Sequence, residues 1–258
     1  MNRPHGPDLA VTLDVDWAPD WAIDLCAETL ARSGVKATWF VTHASAAVDR
    51  LRERPQLFEL GIHPNFLAGS THGETHDEVL AHCMELVPEA KSMRAHGLAQ
   101  SSRLLQRVVH TTPIEIDLSI FLPYMPGIRP VLYTEGGSEL VRLPYWWEDD
   151  YEMELDPPRF GAAHIAEGAP GIRIVNFHPI HVALNSASML NYRALISASS
   201  PLQGSSEKDA LTYRFDGAGT RTVFEEVCRM LGEAGSWRIG DARERLGDVW
   251  PTRREPAP

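Results

Sequence analysis

The sequence predicts an α/β fold, a nearly closed (β/α)7 barrel of mainly parallel strands. Short apolar, β-branched runs alternate along the chain with longer stretches of helical periodicity, and such alternation is typical of right-handed β-α-β units. Seven apolar runs occur between Leu9 and Phe177, and several of them end in a polar residue. We expect a single domain over residues 1–250 and a flexible C-terminal tail over residues 251–258.

The predicted elements follow one another closely, and each is bounded by proline, glycine or polar residues. Strands are expected at residues 9–16, 36–42, 58–62, 91–95, 113–118, 139–143 and 172–177. Helices are expected at residues 19–32, 44–54, 75–87, from 101 onward and at 220–233. The alternation is broken by an irregular stretch, a long loop or lid and one short extra strand, expected at residues 121–137, 187–219 and 237–239 respectively.

Charge and composition limit the partners of this chain. The formal net charge of -11 and the lack of a Lys/Arg cluster argue against nucleic acid or an anionic membrane surface as the main partner. No apolar run approaches bilayer length, so no membrane insertion is expected. The first eight residues lack an apolar stretch for secretion, and Cys26, Cys83 and Cys228 form no Cys-x-x-Cys pair. We therefore expect a cytoplasmic protein.

The first predicted strand ends in two carboxylates, Asp14 and Asp16, with Val15 between them. Because successive strand side chains point to opposite faces, both acids are expected on the same face. A metal ion or a shared proton would relieve the repulsion between them. The alternative is an acidic pair at a loop edge, solvated or capping the next helix, and this stretch alone does not decide between the two.

Polar side chains also follow the other predicted strands. His43, His63 and His178 each come directly after a strand, while Arg94 and His96 stand at the end of the fourth. In a parallel barrel the active site lies at these carboxyl ends. One carboxylate and two histidines can hold a metal with a position open for water, beside a second carboxylate that takes the proton of that water. The pattern therefore favours a hydrolytic site over a purely structural rim.

Five short motifs stand at these strand ends: Thr12-Leu13-Asp14-Val15-Asp16, Lys36-Ala37-Thr38-Trp39-Phe40-Val41, Glu59-Leu60-Gly61-Ile62-His63, Arg94 and Asn176-Phe177-His178-Pro179. In this order, the chain resembles the polysaccharide deacetylases, carbohydrate esterase family four. The resemblance implies a distorted barrel in which a divalent metal removes acetyl groups from N-acetylated sugars. The loop that begins at Ile62 and His63 resembles a subgroup associated with bacterial O-antigen or surface polysaccharide biosynthesis.

The resemblance also implies a role for each matched residue. Asp14 corresponds to the general base, and Asp16 and His63 correspond to metal ligands. Arg94 corresponds to the arginine that orients the base and favours its ionised form. His178 corresponds to the general acid that protonates the departing amine. The expected metal is zinc, with cobalt and manganese as alternatives.

The second metal histidine is the one clear departure from the family pattern. The family has this histidine four residues after the first, but Leu67 stands at that position. His72 and His76 are the available replacements. We prefer His72, because His76 follows Thr75 at the start of a predicted helix, where any polar residue is tolerated. If neither histidine reaches the metal, only two ligands remain.

Four further residues are assigned to substrate binding: Trp17, Asn65, His96 and Trp147. His96 is expected on the same strand face as Arg94, where it either joins the site or makes a structural hydrogen bond. Trp147 belongs to the aromatic and acidic stretch 146–152, which either lines a sugar pocket or plugs the barrel end.

The leading hypothesis is a metal-dependent hydrolase that removes an N-acetyl group from an acetylated amino sugar in bacterial surface glycan biosynthesis. Three alternatives remain: an amidase on a non-sugar C-N bond, an iron oxygenase with a two-histidine, one-carboxylate site, and a degenerate sugar-binding relative without metal. The sequence has no Gly-x-Ser-x-Gly elbow and no phosphate-binding P-loop, which counts against serine hydrolases and nucleotide triphosphatases. The carrier of the sugar and the oligomeric state are left open.

Overall fold

The computed structural model describes residues 9–167, 171–199 and 201–252. Within them, nine strands form a single sheet. They are β1 (Leu9–Asp14), β2 (Ala37–Val41), β3 (Phe58–Ile62), β4 (Ser92–Met93), β5 (Ile116–Asp117), β6 (Val131–Glu135), β7 (Ser138–Arg142), β8 (Trp147–Glu148) and β9 (Arg173–Phe177). The seven predicted strands correspond to β1–β5, β7 and β9, although several are shorter than expected.

Eleven α-helices occur in the same described residues. They are α1 (Asp20–Arg32), α2 (Ala46–Arg52), α3 (His76–Leu86), α4 (Ser102–Thr111), α5 (Asp149–Glu154), α6 (Ala163–Ala166), α7 (Pro179–Leu184), α8 (Met189–Ala198), α9 (Glu207–Leu211), α10 (Thr220–Ala234) and α11 (Ala242–Leu246). The predicted helices correspond to α1–α4 and α10. The predicted capping box is present, with Thr75 and Glu78 each accepting a hydrogen bond from the backbone N–H of the other.

The sheet is mostly parallel and curls into a half-barrel. Its strand order is β6-β7-β5-β4-β3-β2-β1-β9-β8, and among its pairs only β6 with β7 is antiparallel in the described part of the chain. The near closure that seven parallel strands predicted is not confirmed, because β6 and β8 form opposite edges of the described sheet. The β6–β7 hairpin ends the sheet on one side, and the two-residue strand β8 ends it on the other.

Side-chain alternation divides the sheet into two faces. Along β1, Leu9, Val11 and Leu13 join a large core that includes buried residues of α1–α4 and α10. Ala10 instead joins a smaller core on the other side, which we call the inner face. Asp14 is an even number of residues from Ala10 and therefore points to the same face. The inner face thus changes from apolar to polar toward the carboxyl ends of the strands.

The C-terminal segment covers the inner face near the amino ends of β2 and β3. The strand predicted at residues 237–239 is wrong, since Ile239–Asp241 is a 3-10 turn. The backbone N–H of Gly240 donates to Glu59 at 2.6 Å, and Thr38 also donates to that carboxylate. Burial is the main influence on Glu59 and raises its pKa despite these hydrogen bonds.

Regular structure also occurs in the two stretches predicted as irregular. The stretch 121–137 contains β6, and the stretch 187–219 contains α8 and α9. These short helices form because Leu195 and Ala210 are buried in a small core with residues of α7, a contact that local sequence does not reveal. No described helix is long and apolar enough to cross a bilayer. Residues 253–258 of the predicted tail lie outside the described residues.

We predict that Gly61 is required by close packing on the inner face. A Cβ at this position would stand 2.8 Å from the Phe40 ring and 2.8 Å from the Ser92 carbonyl oxygen. Since the backbone oxygen cannot move freely, Gly61→Ala is expected to lower the free energy of unfolding by about 1–3 kcal/mol. Urea denaturation measures this change. Gly204→Ala is the matched control, because a Cβ there meets no atom within 4 Å; equal losses in both variants would contradict the packing argument.

Candidate active site

Side chains from the carboxyl ends of several strands meet in one small cavity on the inner face. This cavity has a volume of about 260 Å³, and its polar lining consists of Asp14, Asp16, His63, His96, Tyr145, Glu148, Asp150 and His178. A larger cavity of about 380 Å³ lies between Phe66 and Val79, but Glu74 and His76 are the titratable residues in its lining. We therefore place the candidate site by its chemistry rather than by cavity size.

Asp14 is held in a fixed orientation by two neighbours. Arg94 donates from Nη1 to Asp14 Oδ1 at 2.8 Å, and Asn176 donates from Nδ2 to Asp14 Oδ2 at 3.0 Å. Arg94 also donates from Nη2 to the Thr12 hydroxyl at 3.0 Å. Arg94 has no exposed surface and Asp14 is 4% exposed, so this is a buried ion pair whose two charges offset each other.

Two aromatic rings enclose the guanidinium group of Arg94. Its Cζ atom lies 4.7 Å from the centroid of the Phe40 ring and 4.3 Å from that of Tyr145, within the range of a cation-π interaction. The Tyr145 hydroxyl donates to Glu148 at 2.7 Å. The orientation of Asp14 is thus connected through Arg94 and Tyr145 to a carboxyl group of the cavity wall.

Asp16 reaches the cavity through a strained turn. β1 ends at Asp14, and Asp16 and Trp17 both have left-handed backbone conformations, with φ angles of 44° and 53°. The prediction that both acids lie on one strand is therefore wrong for Asp16, although both face the cavity. The backbone N–H of Trp17 donates to the Thr42 hydroxyl at 3.0 Å, which holds the turn. Such conformations cost roughly 1–3 kcal/mol each and occur mainly at functional sites.

Two histidines converge on Asp16. His63 Nε2 and His96 Nδ1 each lie 3.0 Å from Asp16 Oδ1. Their ligand atoms form a group in which every pair is within 4.8 Å. Burial opposes ionisation of Asp16, but hydrogen bonds from His63 and His96 and the charges of His63 and His178 outweigh it and hold the pKa of Asp16 well below its usual value. Burial lowers the pKa of His96, but Asp16 outweighs it and raises that pKa.

His178, the residue that follows β9, faces this group. Its Nε2 atom lies 3.6 Å from Asp16 Oδ2, and its Nδ1 atom lies 2.7 Å from Asp149 Oδ1. The other oxygen of Asp149 accepts the backbone N–H of His178 at 2.9 Å. Burial opposes protonation of His178, but the charges of Asp150 and Asp149 outweigh it and raise its pKa well above the usual value. The neighbouring carboxylates thus favour the charged form of the imidazole, and Asp149 fixes its orientation.

Comparison with known proteins identifies the family of the chain. The family described as WbmS-like polysaccharide deacetylase matches residues 11–196. The crystal structure of WbmS from Bordetella bronchiseptica, a candidate polysaccharide deacetylase involved in O-antigen biosynthesis, is 32% identical in sequence and has a TM-score of 0.75. That match covers 85% of this chain and 89% of WbmS. This chain belongs to the WbmS-like polysaccharide deacetylase family. The resemblance inferred from the motifs is confirmed.

Two further solved structures that resemble this WbmS-like chain are more distant than WbmS. The peptidoglycan deacetylase PdaC from Bacillus subtilis is 9% identical, with coverage of 97% of this chain and 100% of PdaC and a TM-score of 0.47. A carbohydrate esterase family four pseudoenzyme from Bacillus anthracis is 14% identical, with coverage of 69% and 56% and a TM-score of 0.39. No curated protein sequence matches the chain significantly.

The structure does not bring His72 to the other expected metal ligands of the WbmS-like chain. Its Nε2 atom lies 2.8 Å from the Thr42 carbonyl oxygen, and its Nδ1 atom accepts the backbone N–H of Asn65 at 3.1 Å. Both ring nitrogens are therefore engaged with the backbone. Burial also lowers the pKa of His72 to about 4. His96 occupies the position beside Asp16 that was expected for His72, and His76 is exposed at the start of α3.

The expected substrate-binding residues divide between the cavity and the interior. Trp17 stays beside the site, with its ring centroid 5.3 Å from that of His96. Trp147 is 1% exposed, donates from Nε1 to Glu152 and packs against Phe177. It belongs to the core and not to a sugar-stacking surface. Asn65 is absent from the cavity lining and accepts a hydrogen bond from its own loop, as in an Asx turn.

Several site residues of the WbmS-like chain were given no individual role from the sequence: Asn176, Tyr145, Glu148, Asp149 and Asp150. The last three belong to the stretch 146–152, whose interpretation from the sequence includes a pocket wall. Alternation could have identified Asn176, which stands two residues before His178 and thus on the same face of β9. The same rule separates Trp147 from Glu148 on β8, with Glu148 facing the cavity. Tyr145 carries no recognisable sequence signal, because its role depends on stacking against Arg94.

We predict that Glu148 makes the stability of the metal-free protein depend on pH. Burial is the main influence and raises the pKa of Glu148 from 4.5 to about 7. The folded state therefore binds this proton more tightly than the unfolded state does. Its contribution to stability is complete below pH 4.5 and is lost as the pH rises through about 7. The expected loss is on the order of 2 kcal/mol after allowance for solvent screening.

Urea denaturation in EDTA at about pH 5 and about pH 8 measures this effect. Glu148→Gln cannot titrate, so it is expected to lose less stability than the wild type between the two pH values. Glu154→Gln, which alters an exposed acid of the same segment, serves as the control. If Glu148→Gln and the wild type change equally with pH, the proposed proton affinity of Glu148 is wrong.

Proposed function

We propose that this chain is a metal-dependent hydrolase that removes an N-acetyl group from an acetylated amino sugar in bacterial surface glycan biosynthesis. The observation that carries the proposal is the convergence of His63 and His96 on Asp16, beside the fixed carboxylate of Asp14. Membership of a polysaccharide deacetylase family supports the reaction type. The similarity to WbmS, which is connected with O-antigen biosynthesis, supports the biological setting.

Asp16, His63 and His96 fit a divalent cation. Two imidazole nitrogens lie 3.0 Å from one carboxylate oxygen, so their lone pairs can converge once the ring protons have left. Two histidines, one carboxylate and an open side toward the cavity are typical of catalytic zinc sites. Zinc is therefore our first choice, with cobalt and manganese as alternatives. A bound cation would supply Lewis-acid polarisation of the acetyl carbonyl group.

Asp14 is proposed as the proton acceptor for the attacking water. Its Oδ2 atom lies 3.8 Å from His63 Nε2, so it is next to the three proposed ligands. Arg94 and Asn176 already fix both carboxylate oxygens, and the carboxylate does not have to rotate during the reaction. Arg94 remains charged throughout and is proposed as the residue that orients this base.

His178 is proposed as the proton donor to the departing amine. An imidazolium with a raised pKa carries the proton that the amine nitrogen needs when its bond to the acetyl carbon breaks. Asp149 holds Nδ1, which leaves Nε2 directed toward the Asp16 side of the cavity. The acid, just after β9, and the base, at the end of β1, thus approach the same space.

The cavity lining suggests how an acetamido group is held. The site is small and polar, and such a cavity suits the acetamido end of a sugar better than a whole oligosaccharide. Tyr145 and Glu148 replace Trp147 in the proposed substrate-binding set, and Trp17 stays in it as a residue of the rim. Asn65 leaves the set, and His96 passes to the metal ligands.

A metal-dependent amidase on a non-sugar C-N bond is the second candidate. The observation in its favour is the burial of Trp147, which removes the expected aromatic platform for a sugar ring. The same metal ligands, base and acid would act on any amide that enters the cavity. Substrate comparison separates this candidate from the leading proposal.

We predict that the purified protein releases acetate from N-acetylated amino sugars and that Asp14→Asn reduces the rate at least about 100-fold. The amide of Asn cannot take the proton, but it retains the shape of the side chain. Mass spectrometry measures acetyl loss across sugar nucleotides, oligosaccharides and simple acetamides, with zinc, cobalt and manganese supplied in turn. Activity on simple acetamides alone would favour the amidase, and an undiminished rate in Asp14→Asn would contradict the assigned base.

We also predict that His96, and not His72, completes the metal site. His96→Gln is expected to weaken zinc binding by more than about 100-fold, and the matched variant His72→Gln by less than about tenfold. The reason is that Asp16 faces His96, whereas both nitrogens of His72 face backbone groups. Equilibrium dialysis with zinc measures the affinities, and circular dichroism checks folding. A larger loss in His72→Gln would restore His72 as the ligand.

A further inference from the structure

A second group of potential metal ligands lies beside the proposed site. Asp150, His178 and His181 each offer one ligand atom, and these atoms lie within 4.8 Å of one another. Asp150 Oδ1 is 2.9 Å from His181 Nε2 and 3.5 Å from His178 Nδ1. His178 precedes α7 and His181 belongs to its first turn, so a spacing of three residues places both rings on one side.

The chemistry of this second group resembles that of a zinc site. It contains two imidazoles and one carboxylate, the same donor set as the first group. His181 Nδ1 lies 3.3 Å from the Ser186 hydroxyl. That hydroxyl can accept a hydrogen bond from Nδ1–H, and the Nε2 lone pair is then available to a cation shared with Asp150, as is usual for a metal-bound histidine.

Access and charge also favour a cation at this position. Asp150 and His178 line the cavity, so an ion can enter from the substrate side, while His181 is only 3% exposed behind them. Asp149 Oδ1, 2.7 Å from His178 Nδ1, adds a second negative charge. At the same time Asp149 competes for His178, and the Asp150 side chain is 41% exposed. Both features make this position weaker than the first.

We propose that Asp150, His178 and His181 bind a second, weaker divalent cation of the zinc class, and that its binding inhibits the reaction. Asp150 faces Nδ1 of His178, so a cation there takes the place of the Nδ1 proton. The ring is then no longer an imidazolium, and its remaining Nε2–H is a much weaker acid toward the departing amine. Binding at this second site does not depend on the proposed function. The inhibition does rest on it, because it requires His178 to act as the general acid.

Equilibrium dialysis with zinc tests the second site directly. The wild type is expected to bind two zinc ions with different affinities. His181→Gln is expected to keep the tighter ion and to lose at least about tenfold in affinity for the weaker one. Asp16→Ala is expected to show the reverse pattern. His110→Gln, an exposed histidine outside both groups, is the control and should bind two ions.

Asp150→Asn provides a second variant of similar shape if His181→Gln does not fold. A single zinc ion in the wild type, or two in both His181→Gln and Asp150→Asn, would overturn the proposal. Inhibition is tested by adding zinc beyond one equivalent and comparing each deacetylation rate with the rate at one equivalent. The wild-type rate is expected to fall as the weaker site fills, whereas the His181→Gln rate is expected to stay the same. Two bound ions without turnover on any substrate would refute the proposed function and leave the second site standing.

Discussion

The buried ion pair between Arg94 and Asp14 is the interaction on which the rest of the site depends. Asp14 ends β1 on the inner face, where an unpaired carboxylate would be costly to bury. Arg94 offsets its charge, and Asn176 and the Thr12 hydroxyl satisfy further polar atoms of the pair. These contacts tie β1 to β9 and to the residue that follows β4. The same bonds that make burial tolerable therefore also fix the orientation of the proposed base.

Around this pair, carboxylates and imidazoles alternate in one connected group. Asp16 stands between His63 and His96 on one side and His178 on the other, and His178 in turn faces Asp149 and Asp150. Asp16, Asp149 and Asp150 each face at least one imidazole, which explains how so many ionisable side chains coexist near the inner face. A change at one member is expected to alter the protonation of its neighbours. This coupling suits the proposed roles of Asp14 as proton acceptor and His178 as proton donor.

The ends of the apolar runs and the alternation of strand side chains account for most of what could be predicted. The ends of the runs placed Asp14, His63, Arg94 and His178 at or just after strand ends, where all four are found. Alternation explains why Glu148 rather than Trp147 faces the cavity. Prediction failed where contacts between distant segments determine the local structure. The helices within residues 187–219 form by packing against α7, and Asp16 reaches the cavity through a turn with two successive left-handed residues, which the strand pattern did not indicate.

By itself, the sequence determined the α/β class, the order of the strands that carry the site and the family of the chain, because these follow from periodicity and from short motifs. Only the tertiary structure decided that the described sheet stops at a half-barrel, and which histidine stands beside Asp16. His72 is nearer to His63 in sequence, but the loop directs its ring nitrogens to backbone groups of Thr42 and Asn65. His96 follows a neighbouring parallel strand, and parallel strands bring their carboxyl ends together however far apart they lie along the chain.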